Sequence, residues 1–97
     1  MTKTIKNNRD ANERAIIELL RGIGCVVWQM DRKDGFDLLV ISAGDVEIVE
    51  IKNPDTKWKV TDAEKKRKAE VESVGGVYWI VTDEDSALKM AYAQRGV

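Results

Sequence analysis

The sequence contains no histidine. That absence excludes Ser-His-Asp and Cys-His catalysis and the usual histidine-bearing zinc sites. Hydrolysis by such a chain has to rest on carboxylates, lysine and a hard cation such as Mg²⁺. A single cysteine, Cys25, excludes an intrachain disulfide, and within "GCVVW" it reads as a small buried hydrophobe, not as a nucleophile. The one proline, Pro54, lies in "NPDTK", which reads as a loop. No apolar run approaches the roughly 20 residues that span a bilayer. The polar opening MTKTIKNNRD lacks the apolar stretch of a secretory signal. A reducing cytoplasm and no membrane partner are therefore expected.

What is present is ordinary in bulk. The 97 residues are 43% hydrophobic and 34% charged, which is enough for one domain over 1–97 with a single modest core. The formal net charge of −1 conceals a basic stretch from Lys57 to Lys68, "KWKVTDAEKKRK", where six Lys/Arg meet two acids. A polyanion could be held there.

Periodicity gives the elements. "RDANERAIIELLRGIG" is an amphipathic helix with an apolar stripe at 16, 17, 20 and 23, ended by Gly22 or Gly24. "CVVWQM" reads as a strand and "DRKDG" as a turn. "FDLLVIS" and "VEIVEIK" are strands joined through "AGD". In "TDAE", Thr61 and Glu64 have capping-box spacing, opening a helix that runs to about Val74 and stops at Gly75-Gly76. "VYWIV" is a fourth strand and "TDEDSALKMAYA" a third helix. The order α-β-β-β-α-β-α, with a β-α-β step at its end, predicts an α/β fold: a four-stranded mixed sheet flanked by helices, its central strands covered on both faces.

The stretch "FDLLVISAGDVEIVEIKN" places Asp37, Glu50 and Lys52 among Leu, Ile and Val. If Ser42 faces Asp45 around Ala43-Gly44, Asp37 stands opposite Glu50, an arrangement that like charges disfavour unless a cation compensates. Lys52, two residues on, projects to the same face. Glu13 precedes Ile16, Ile17 and Leu20 at i+3, i+4 and i+7, so it lies on the inward stripe of the first helix. Were that helix to pack on the face of Asp37 and Glu50, three acids would converge. Two or three carboxylates and a carbonyl suit Mg²⁺, and a lysine beside them could orient or deprotonate a water and bind a phosphate. The competing reading is a structural salt-bridge cluster at a strand end.

Asp37, twelve intervening residues, then Glu50-Ile51-Lys52 on a hairpin behind a helix with an inward Glu resembles the PD-(D/E)xK nuclease superfamily. Small VRR-NUC and Holliday-junction-resolvase-like nucleases, many encoded by phages, are the most similar branch. The likeness runs from about Glu13 to Ala91. It implies a restriction-endonuclease-like core in which Asp37, Glu50 and the backbone carbonyl of Ile51 ligate Mg²⁺ or Mn²⁺, Lys52 is the catalytic lysine, and Glu13 is an auxiliary acid in catalysis and metal binding. It further implies a homodimer making paired cuts in branched DNA, in the host cytoplasm if phage-encoded. Two positions depart from the family: Phe36 replaces the proline that usually precedes the first acid, and Glu64 stands where VRR-NUC proteins typically carry glutamine.

Lys57, Trp58, Lys59, Lys65, Lys66 and Lys68 are candidates for contact with nucleic acid, Trp58 through stacking on a base. Each has a plainer alternative, since a lysine run is usually a solvated helix face and a loop tryptophan as readily packs. The expected function is metal-dependent endonucleolytic hydrolysis of DNA, selective for branched structure. The alternatives are a non-catalytic module of the same fold that binds nucleic acid or protein, and a subunit of a restriction or defence system.

Overall fold

The computed structural model describes residues 8–53 and 59–94. Helix α1 spans Asn8–Gly22, strand β1 Val26–Gln29, a single 3-10 turn Arg32–Asp34, strand β2 Leu38–Ser42 and strand β3 Asp45–Ile51. Helix α2 (Asp62–Ser73), strand β4 (Tyr78–Val81) and helix α3 (Glu84–Gln94) complete the order α-β-β-β-α-β-α. The strands form one mixed sheet, β1-β2-β3-β4, antiparallel except for the parallel β3–β4 pair.

Local chemistry sets the ends of these elements. Gly24 adopts φ +102° after α1, while Gly24 N donates to Arg21 O and Cys25 N to Leu20 O. This is the paired bonding that closes a helix through a left-handed glycine. Gly75 (φ +85°) ends α2 in the same way, with Gly75 N donating to Glu72 O and Gly76 N to Val71 O. At the start of α2 the Thr61/Glu64 capping box is formed in both directions. In the β2–β3 hairpin Ala43 and Gly44 both have positive φ, 52° and 87°, the two-residue turn whose twist matches that of paired strands. It pairs Ser42 with Asp45 and Leu38 with Val49, the expected register.

Alternation along β2 and β3 divides the sheet into two unlike faces. Leu38, Val40, Val49 and Ile51 point to one side and are buried with Val27 and Val81. Ile16, Ile17 and Leu20 of α1 and Ala87, Met90 and Ala91 of α3 close over them as one core. Glu47, buried at the margin of this face, is satisfied by the Trp79 indole at 2.7 Å.

The other face differs from the sequence expectation of full cover. Leu39, Ile41 and Ile48 are half-buried there, while Val26, Trp28 and Val46 are each more than half exposed. The reason lies in α2, the element over this side. It buries none of its residues and packs against the 3-10 turn and β4, near the end of the sheet that holds Asp37 and Glu50.

Candidate active site

Asp37 lies one residue before β2 and is held from three directions. Its amide donates to Val49 O at 3.0 Å, its carbonyl accepts from Met30 N at 2.8 Å, and its Oδ2 accepts from Ile51 N at 2.8 Å. Asp37 lies one step beyond the pair Leu38↔Val49, close enough to Glu50 for its charge to act on that carboxyl. Both carboxylates are buried, Glu50 to within 2% of complete.

Two acids side by side out of water cannot both carry full charge cheaply. Burial pushes the Glu50 carboxyl up to about 9, helped by a hydrogen bond with Glu64 and by the charges of Asp37 and Glu64. Glu64 moves the other way, to about 2. Burial alone would raise it, but hydrogen bonds from Glu50, the Thr61 amide and Lys52 prevail. Of Glu50 and Glu64, the more deeply buried Glu50 is the one pushed toward its neutral form.

Lys52 Nζ completes the cluster, 3.2 Å from Glu50 Oε2, 2.9 Å from Glu64 Oε1 and 3.2 Å from Lys59 O. Burial pulls its pKa down, yet hydrogen bonds to Glu64 and Glu50 outweigh that and raise it, so the ammonium stays charged. Tyr78 closes the floor, its hydroxyl donating to Gly35 O at 2.7 Å. Burial, then the negative charges of Glu50, Glu64 and Asp37, push the phenol up. Gly35 (φ +81°) must be glycine, because a Cβ there would stand 2.8 Å from Ala63 O of α2.

Asp37, Glu50 and Lys52 are thus brought together, and Glu13 is not. Helix α1 packs on the opposite face of the sheet, where Leu38, Val40, Val49 and Ile51 offer the more continuous apolar surface. Glu13 Oε2 instead accepts from Gln29 Nε2 at 3.4 Å. Among the described residues no three acidic, cysteine or histidine side chains gather as a metal-holding group.

Of the nucleic-acid candidates, Lys57 and Trp58 lie outside the described residues. Lys59, Lys65 and Lys66 are exposed, whereas Lys68 pairs with Glu72 at 2.7 Å. Arg67 is spent on structure, its Nε donating to Asp34 O at 2.9 Å and its guanidinium pairing with Glu70. Tyr78 is not among the sequence candidates, and the sequence reads Glu64 as a cap with any part in the site left open. For Tyr78 the available signal was parity, since the parallel pairing Ile48↔Tyr78 and Glu50↔Ile80 puts it on the face of the acids.

A solved chain described as a VRR_NUC domain superposes on this one with a TM-score of 0.69 at 20% identity, covering 88% of this chain and 95% of that chain. The fold is VRR_NUC-like. No family model and no curated protein matches the sequence. Within this fold, the donor set suits a divalent ion. Two adjacent buried acids, one of them pushed well above its usual range by burial, fit a small hard cation that accepts one or two carboxylates and keeps its remaining ligands as water.

Proposed function

We propose that the chain is a divalent-metal-dependent endonuclease that hydrolyses DNA phosphodiester bonds with a preference for branched DNA. The observation that carries this reading is the buried pair Asp37 and Glu50 with Lys52 Nζ 3.2 Å from the second acid. Asp37, Glu50 and the carbonyl of Ile51 would hold Mg²⁺ or Mn²⁺. When bound, the ion supplies an activated water and neutralises charge building on the phosphodiester.

The chain's own residues do the rest. The Ile51 amide fixes the Asp37 carboxylate, so one acid is preorganised before anything binds. Lys52 would donate to a phosphate oxygen or orient a water with its protons. Lys59, Lys65 and Lys66 are exposed and would take backbone phosphates, each adding to affinity and to its salt dependence. Glu13 would be an auxiliary acid only. The homodimer belongs to the same proposal, supported by the uncovered apolar patch of Val26, Trp28 and Val46.

A specific observation favours a second reading. Nζ of Lys52 meets three acceptors already, which is also how a purely structural ion cluster looks in a non-catalytic module of this fold. The test uses labelled four-way junction, flap, single-stranded and duplex DNA with Mn²⁺ or EDTA. The nuclease reading expects metal-dependent cuts, symmetric on the junction, that fall by about a hundredfold or more in Lys52→Ala while DNA binding persists. Equal cutting by Lys52→Ala would remove the catalytic assignment. Tight binding without cutting would favour the non-catalytic module.

A further inference from the structure

Glu64 takes part in two structures at once. As the third residue of α2 it closes the capping box: the Thr61 amide donates to its Oε1 at 3.0 Å, and its own amide donates to Thr61 Oγ1 at 3.2 Å. The same Oε1 also accepts from Lys52 Nζ at 2.9 Å. A cap requires no lysine, and a capping glutamate ordinarily faces water. Here the side chain is only 12% exposed and turned toward the sheet.

The lysine stem is four flexible carbons, and its ammonium has three donors to place. One goes to Glu50, two residues back in the chain, and the others go to Glu64 Oε1 and Lys59 O. Two of the three anchors therefore come from the start of α2 and the segment leading into it. If Glu50 turns its carboxylate to a cation, those two remain, and only Glu64 among them is charged.

We propose that Glu64 is a positioning residue for Lys52: through its Oε1, the first turn of α2 holds the ammonium beside the acid pair. The kinetic consequence rests on the nuclease reading above, whereas the contact itself does not. A catalytic group displaced by even 1 Å loses rate steeply, so the cap of a surface helix becomes a determinant of turnover.

Two measurements test this. In ¹H–¹⁵N correlation spectra tuned to lysine ammonium groups, a held Nζ exchanges slowly and gives a resolved signal, assigned by its loss in Lys52→Arg. Wild type should show that signal without metal. Glu64→Ala should lose it, and Glu64→Gln, which keeps an acceptor oxygen, should retain it. Thr61→Ala should also retain it while lowering the melting temperature through the lost cap.

In cleavage assays Glu64→Ala should lower kcat by roughly ten- to a hundredfold with KM changed by less than about threefold, and Glu64→Gln should recover most of the rate. A signal absent from wild type, or one that survives Glu64→Ala, overturns the proposal. So does an equal loss of kcat in Thr61→Ala and Glu64→Ala, which would reduce Glu64 to a cap. Should wild type cleave nothing, the nuclease reading fails, and the spectra still decide whether Glu64 holds Lys52.

Discussion

Glu50 is the residue at which stability and proposed chemistry are most directly opposed. Its carboxyl is held well above the usual range by burial first and by Glu64 and Asp37 after it. The folded protein therefore keeps a proton that the unfolded chain releases near pH 4.5. The folded state binds more protons above that pH, so stability of the metal-free protein should fall as pH rises from about 4.5 toward about 9. Glu50→Gln should flatten that slope and gain about 1 kcal/mol or more at neutral pH, read in urea melts at pH 5, 7 and 9. Added Mg²⁺ or Mn²⁺ should raise the melting temperature of wild type and leave Asp37→Asn unmoved. A wild-type melting curve indifferent to both ions would argue against a preformed site.

At the scale of elements, α2 stands apart, because it docks by polar contacts. Glu64 reaches Lys52, Arg67 reaches Asp34 O, and the backbone near Ala63 lies against Gly35. Gly35→Ala would place a methyl 2.8 Å from Ala63 O at a φ of +81°. We expect a loss of about 1–3 kcal/mol and faster hydrogen exchange across α2 than across α1, measurable by mass spectrometry. Unchanged exchange in α2 would mean that the turn and helix yield without separating.

The elements also show what a linear reading can reach. Helix stops, the capping box and the register of the β2–β3 hairpin were legible because each depends on residues close in sequence, such as Gly24, Thr61 and the pair Ala43-Gly44. The side of the sheet that α1 covers was not legible, since both faces of β2 and β3 are apolar, and the convergence of Glu13 with the other acids was conditional on that side. Glu64 and Tyr78 arrive at the site through a crossover whose parallel register no turn dictates. Position along the chain showed that Glu64 caps a helix; only the packing shows which lysine it meets.

For the whole molecule, the sheet is one-sided. α1 and α3 seal one face, while Trp28 (56% exposed), Val46 and Val26 stand open on the other. A second copy of the chain laid on this patch would cover it, as the proposed homodimer requires. Sedimentation velocity should give a dimer for wild type and a monomer for Trp28→Lys, with little change in the melting temperature of the monomer because Trp28 contributes little to the core. A wild-type monomer would remove the dimer from the proposal.

The hairpin turn has a consequence for how this site can vary. Alternate residues at the end of β3 and just beyond it serve opposite faces: Val49 and Ile51 fill the core, and Glu50 and Lys52 belong to the candidate site. Ala43 and Gly44 lie roughly 20 Å along the strand from Glu50, at about 3.3 Å per residue. One residue inserted at that turn could shift the two strands by one step and exchange the two sets, driving charges into the core and aliphatic groups into the site. Most surface loops tolerate insertions and deletions. This turn sets a reading frame for the chemistry, and changes of its length should be far rarer in working descendants of the chain than changes of its residues.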